Sequence, residues 1–190
     1  MSQTNIQTRK SLKIHPQKFA MWIAIATIIM MFGGFTSGYI VRRSQGMWEV
    51  FEMPQIFIAS TIAICLSSLT MIFALRNYKK AQFGTFRTLM VITLLLGVAF
   101  SVMQLAGFSE MHQRNLKISG NPSSSFLYII AGIHILHILG GIITIAYQLI
   151  KTRKNELTED RIVGLEILST YWHFVDLLWL YLYVFFIFFR

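Results

Sequence analysis

Five long apolar stretches, separated by short polar loops, dominate this 190-residue sequence. A helix that crosses a bilayer needs roughly 20 predominantly apolar residues, and each stretch reaches that length. Because backbone groups in lipid must find hydrogen bonds within their own segment, stretches of this kind form helices. The pattern predicts an all-α membrane protein, a bundle of five transmembrane helices at about 19–41, 55–75, 88–108, 126–150 and 165–189, with a polar tail at 1–18.

The composition agrees with a membrane protein, since 55% of the residues are hydrophobic and only 13% are charged. The basic tail is followed by an apolar run too long for a secretory signal and without a small-residue cleavage site, which predicts a retained first helix. Cys65 is the only cysteine, so neither an intrachain disulfide nor a cysteine-based metal site is expected.

The distribution of lysine and arginine predicts the orientation. The tail and the loops 76–87 and 151–164 carry 12 of these residues, whereas the opposite side carries 5. The positive-inside rule then places the N-terminus in the cytoplasm and the C-terminus outside. The net charge of +9 is divided among several loops and forms no single basic face, so we expect no nucleic-acid partner.

Small residues in the first and fourth stretches predict close helix contacts. Gly34 and Gly38 are four residues apart, and Gly132 and Gly141 lie in the fourth stretch. Small residues let two helix backbones approach closely in lipid. These glycines are expected to pack the bundle, and the same faces would also suit a partner subunit.

Six polar residues lie inside otherwise apolar stretches and need partners, because an isolated polar group in a membrane is costly. They are Gln104 in the third stretch, His134 and His137 in the fourth, and Glu166, His173 and Asp176 in the fifth. A hydrogen bond from His137 or His173 to Asp176 would remove the cost of an isolated charge, and the polar cluster is expected to join the fourth and fifth helices. From the residues alone, three interpretations stay open: a structural polar network, axial haem ligands, and a proton or ion path.

The same residues carry a resemblance to a known family. "YWHFVD", Tyr171 to Asp176, followed by Trp179, closely resembles the last-helix signature of subunit III of the haem–copper terminal oxidases, the cytochrome c oxidase family. "GIHILHILGG", which contains His134 and His137, resembles the family's Gly-x-His-x-x-His segment. Glu166, Gln104 and "MFGGFTSGY", Met31 to Tyr39, also match family positions. Five helices resemble the short bacterial form.

The resemblance implies a non-catalytic subunit of a proton-pumping oxidase in a bacterial inner membrane. Such a subunit packs on subunit I beside subunit II, stabilises subunit I and supports its proton uptake. Haem and copper are expected in those partners and none in this chain. Bound phospholipid is also implied, with Lys151 and Lys154 as candidate contacts to lipid phosphate, although ordinary positive-inside charge explains them equally well.

Three positions depart from the family pattern: Ile28 stands where the long form has a carboxylate, Gly107 replaces an acidic residue, and Thr170 replaces a tryptophan. A proton-uptake role tied to the first-helix carboxylate is therefore not carried over.

The alternative to an oxidase subunit III is a haem-b-binding membrane anchor of a respiratory dehydrogenase or reductase.

Overall fold

A computed structural model describes residues 15–46, 53–114, 122–152 and 156–189. These residues form five helices: α1 Pro16–Arg43, α2 Ile56–Lys79, α3 Phe83–Gln113, α4 Pro122–Lys151 and α5 Glu159–Phe189. All five are long and apolar enough to cross a membrane, which confirms the predicted all-α fold class. Most of the predicted tail lies outside the described residues.

The helices are longer than the apolar stretches that predicted them, because polar residues continue them at their ends. Pro16 and Pro122 occupy first helical positions, where the missing N–H removes no intrahelical hydrogen bond. Glu159 and Asp160 lie in the first turn of α5, where negative charge is favourable, and Arg42 and Arg43 lie in the last turn of α1. The loop predicted at 76–87 is shorter in the structure and covers residues 80–82.

Helices α4 and α5 each pack against three others: α4 contacts α1, α3 and α5, and α5 contacts α1, α2 and α4. Helices α2 and α3 form the most extensive pair, and α1 packs on α4 and α5. The core is strongly aromatic: the largest fully buried side chains include Trp172, Trp179, Tyr39, Tyr78, Phe57 and Phe100. Outward surfaces are also apolar, with Met30 and Phe188 about three-quarters exposed, at 76% and 75%. An apolar exterior around an aromatic interior suits a bundle surrounded by lipid or by other membrane helices.

Candidate functional site: buried polar groups between the helices

His173 and Asp176, one helical turn apart on α5, do not pair with each other. His173 Nδ1 lies 2.6 Å from the Ser68 hydroxyl of α2, and its Nε2 lies 3.1 Å from the Ser169 hydroxyl. Asp176 is only 4% exposed, and neither carboxyl oxygen has a hydrogen-bond partner among the described residues. The predicted hydrogen bond between His173 and Asp176 is therefore absent, because serine hydroxyls occupy both imidazole nitrogens.

His137 also bonds elsewhere than to Asp176. Its Nδ1 donates to the backbone carbonyl of Ile133, one turn earlier in the same helix, at 2.8 Å. Helices α4 and α5 are linked instead by the Tyr171 hydroxyl, which donates to the His137 carbonyl at 2.9 Å. The link predicted between these two helices thus exists, but a tyrosine and a backbone oxygen make it.

His134 is fully buried in an aromatic cage. Its ring stacks on Trp179 with 5.4 Å between ring centroids and meets the rings of Phe32 and Phe100 edge-on. Neither ring nitrogen has a hydrogen-bond partner among the residues described. A haem ligand needs a ring nitrogen that faces open space for the porphyrin, and here the aromatic rings fill that space.

Glu166 and Gln104 lie in two further, separate places. Glu166 accepts from Lys18 of α1 and from Lys79 of α2, each at 2.5 Å, and so joins the ends of three helices. The Gln104 amide donates to the Ser60 hydroxyl at 2.9 Å and joins α3 to α2. The six predicted residues therefore lie at several separate places in the bundle and do not form one network. Glu166 and Gln104 connect helices other than α4.

Two tryptophan–hydroxyl links between α5 and α2 were missed from the sequence. Trp172 Nε1 donates to the Ser67 hydroxyl, and Trp179 Nε1 donates to the Thr61 hydroxyl, both at 3.0 Å. The tryptophans are seven residues apart, and their acceptors are six apart on an antiparallel neighbour. This matched spacing was the available signal, since a buried indole N–H usually needs a partner.

The predicted packing glycines divide into two groups. A Cβ atom at Gly141 would lie 2.7 Å from the Trp172 ring, and one at Gly38 would lie 3.6 Å from Phe126, so both face neighbouring helices.

The other two predicted glycines do not make such contacts. Added Cβ atoms at Gly34 and Gly132 would meet nothing within 4 Å, so neither brings helices of this chain together. Sequence reasoning missed two further positions of close contact, Gly97 against Trp172 and Gly107 against Phe57.

The lysines predicted to contact lipid are only partly described. Lys151 is exposed, and its ammonium lies 5.8 Å from the centroid of the Tyr147 ring. It borders a groove of about 980 Å³ between α1, α4 and α5. Lys154 lies outside the described residues, so the pair stays a prediction.

The fold and these polar links define a multi-pass helical membrane protein. Across the described residues, no group of three or more His, Cys, Asp or Glu side chains is placed to hold a metal ion.

Comparison with known proteins identifies the family. The family model described as "Cytochrome c oxidase subunit III" matches residues 43–190. The chain therefore belongs to the cytochrome c oxidase subunit III family, whose members are subunits of haem–copper oxidase complexes. The resemblance noted in the sequence is confirmed, and the alternative of a haem-bearing anchor loses its basis.

Bacterial relatives match most of the chain. A probable cytochrome c oxidase subunit 3 from Nocardia farcinica is 29% identical, covering 88% of each chain. The cytochrome c oxidase subunit 3 of Bacillus sp. strain PS3 is 26% identical over 85% of this chain and 80% of its own. A probable quinol oxidase subunit 3 from Staphylococcus saprophyticus is 27% identical over 87% of this chain and 85% of its own.

Proposed function

We propose that this chain is the non-catalytic subunit III of a proton-pumping terminal oxidase of the bacterial inner membrane. It packs directly on subunit I, near subunit II, stabilises subunit I and supports its proton uptake during aerobic respiration. The family match over residues 43–190 carries the proposal. The electron donor is cytochrome c or quinol, since relatives named for both oxidases match at similar identity.

The bundle suits a supporting role. Its interior is filled by aromatic side chains, and its polar groups largely serve to join helices. Its outer surface offers large apolar side chains that a neighbouring membrane subunit could cover. In this role the chain acts through packing on subunit I, while haem and copper chemistry takes place in the partner subunits.

The proposed orientation has a cytoplasmic N-terminus. The ion pairs of Glu166 with Lys18 and Lys79 gather the start of α1, the end of α2 and the early part of α5 at one end of the bundle. That end also carries Arg76, Lys80 and Lys151, so the basic residues collect where the positive-inside rule places the cytoplasm. Lys151 and Lys154 would there meet phospholipid phosphate groups.

Deletion of this chain tests the proposed role. We expect the haem absorption spectrum of the purified oxidase to stay largely intact, while oxygen consumption decays faster during sustained turnover. Re-expression of the chain should restore the longer active lifetime. Loss of all haem signals with subunit I still present would contradict the proposal, and so would a Soret band from haem bound to this chain alone.

A further inference from the structure

A polar cavity of about 410 Å³ lies between α1, α2 and α5. Glu166 lines it together with its two ion-pair partners, Lys18 and Lys79, at the end of the bundle where the basic residues collect. His173 lines it as well, and it lies about 10 Å further along α5 than Glu166. The cavity, which we call the α5 cavity, therefore leads from the charged end of the bundle into the membrane-spanning part of α5.

The lining of the α5 cavity suits water. A space inside a protein holds water when it is roomy and offers several hydrogen-bonding groups. Ammonium, carboxylate, hydroxyl and imidazole groups line this one, and they belong to Lys18, Lys79, Glu166, Ser169, Thr170 and His173. The depression nearer the other end of α5, by contrast, is lined almost wholly by apolar side chains. The α5 cavity is thus the part of this surface that water enters most readily.

His173 keeps both of its hydrogen bonds whether its ring is neutral or protonated. Nδ1 lies 2.6 Å from the Ser68 hydroxyl, and Nε2 lies 3.1 Å from the Ser169 hydroxyl. A hydroxyl group can donate or accept a hydrogen bond. When the ring nitrogen that lacks a hydrogen takes up a proton, the hydroxyl facing it changes from donor to acceptor. Protonation of His173 therefore leaves no ring nitrogen without a partner.

The two histidines of α4 differ from His173 in this respect. His134 is fully buried among aromatic rings, and neither of its nitrogens has a hydrogen-bond partner among the described residues, so a protonated ring there would have two unpaired donors. His137 donates to the carbonyl of Ile133 within its own helix. Neither of them lines the α5 cavity. Of these three histidines, His173 alone combines hydroxyl partners with a polar cavity.

A negative counter-charge for a protonated His173 is available one helical turn away. Asp176 is buried, and its carboxyl group interacts with the same Ser68 hydroxyl that contacts His173. An imidazolium beside a carboxylate has no net charge, which reduces the cost of charge inside the membrane. The other chargeable side chains around His173 are Cys65 on α2, Lys18 on α1, Lys79 on α2 and Glu166 on α5.

We propose that the α5 cavity is a water-filled inlet through which His173 exchanges protons with the cytoplasm. The ring nitrogen without a hydrogen accepts a proton directly from cavity water or through Ser169, whose hydroxyl gives its hydrogen to the ring and takes one from the water. The proton leaves by the reverse route. This inference rests on the proposed function, which places this end of the bundle in the cytoplasm. It goes further by assigning a proton-binding residue, which packing on subunit I does not require.

Thiol accessibility tests whether water fills the cavity. In a Cys65→Ser background, Thr170→Cys places a thiol on the cavity wall, and the control Leu69→Cys places one on the exposed apolar surface next to Ser68. A membrane-impermeant thiol reagent attacks the thiolate, which forms in water, so in vesicles that expose the cytoplasmic face Thr170→Cys should react roughly tenfold faster or more. Equal rates at the two positions, or reaction of Thr170→Cys from the opposite face alone, would overturn the inlet.

Magnetic resonance of the imidazole nitrogens tests proton binding. The full chain is labelled at its histidines and reconstituted in liposomes, and His173→Gln identifies the signal of His173. Acidification from about pH 8 to about pH 5 should convert this signal from neutral to doubly protonated imidazole. The fully buried His134 is the internal control and should stay neutral. A His173 signal that stays neutral throughout would show that this residue does not bind the proton.

The two proposals fail in different ways. If haem-bearing subunits co-purify with this chain but Thr170→Cys is no more reactive than Leu69→Cys, the inlet is wrong and subunit III stands. If no haem-bearing subunit co-purifies from membranes that contain the oxidase, the proposed function itself is wrong.

Discussion

At the residue scale, the position of Trp172 depends on two glycines on neighbouring helices. Its indole ring lies between Gly97 of α3 and Gly141 of α4, and a Cβ atom at either glycine would come within 3.0 Å of the ring. The ring is fully buried, and its N–H is held by Ser67, so it has little room to move. These glycines therefore provide space for a side chain of α5 rather than flexibility in their own helices.

This contact predicts a clear difference between two glycines of α4. Gly141→Ala should lower the stability of the bundle by about 1–3 kcal/mol, because the new methyl group overlaps Trp172. Gly132→Ala is the matched control: its Cβ would meet nothing, and alanine favours the helix, so stability should be unchanged or slightly higher. Thermal unfolding in detergent micelles measures both, and equal destabilisation by the two variants would contradict the assignment.

At the scale of elements, α1 is joined to the rest of the bundle at both ends. Near its C-terminal end, the Tyr39 hydroxyl donates to the Phe189 carbonyl, and its ring packs against Phe185. Near its N-terminal end, the Lys18–Glu166 ion pair is partly exposed, so solvent weakens it. The N-terminal turns of α1 should therefore open more easily than its C-terminal turns.

Removal of the shared carboxylate should loosen that N-terminal end. Glu166→Gln should raise the hydrogen-exchange rate of residues 17–22 several-fold, while changing overall stability by less than about 1 kcal/mol. Glu110→Gln is the control, because its partner Arg114 directly follows the last residue of the same helix and the pair joins no two helices. Unchanged exchange in α1 after Glu166→Gln would show that the ion pairs do not hold this end.

At the scale of the whole molecule, the basic residues and the helix order together predict one orientation. Loop residue Gln82 should face the cytoplasm, and Gln45, after α1, should face the outside; both are exposed. In a Cys65→Ser background, a membrane-impermeant thiol reagent added outside intact cells lacking an outer membrane should label Gln45→Cys and leave Gln82→Cys unlabelled. Permeabilised cells provide the control, in which both positions react. The reverse pattern in intact cells would invert the proposed topology.

The sequence allowed the prediction of the helices because their signal is local. A stretch of about 20 apolar residues must be helical in lipid whatever surrounds it, so five helices followed from length and hydropathy alone. Most of their ends were placed too far inward, because polar residues such as Lys79 and Glu159 extend the helices beyond the apolar stretches. The family signature around His173 and Asp176 was also local, and the family match confirmed it.

The partners of the buried polar groups could not be predicted in the same way. In a soluble protein the polar face of a helix indicates how it is rotated, but here exposed and buried faces are both apolar. The rotation of each helix is set by shape, as where Trp172 fits against Gly97 and Gly141. That rotation turns His173 toward Ser68, places His134 among aromatic rings and buries Asp176. The sequence by itself thus determined the number of helices and the family. Tertiary packing decided which polar groups meet, because their contacts depend on how each helix is rotated against its neighbours, and helices that are apolar on all faces do not specify that rotation.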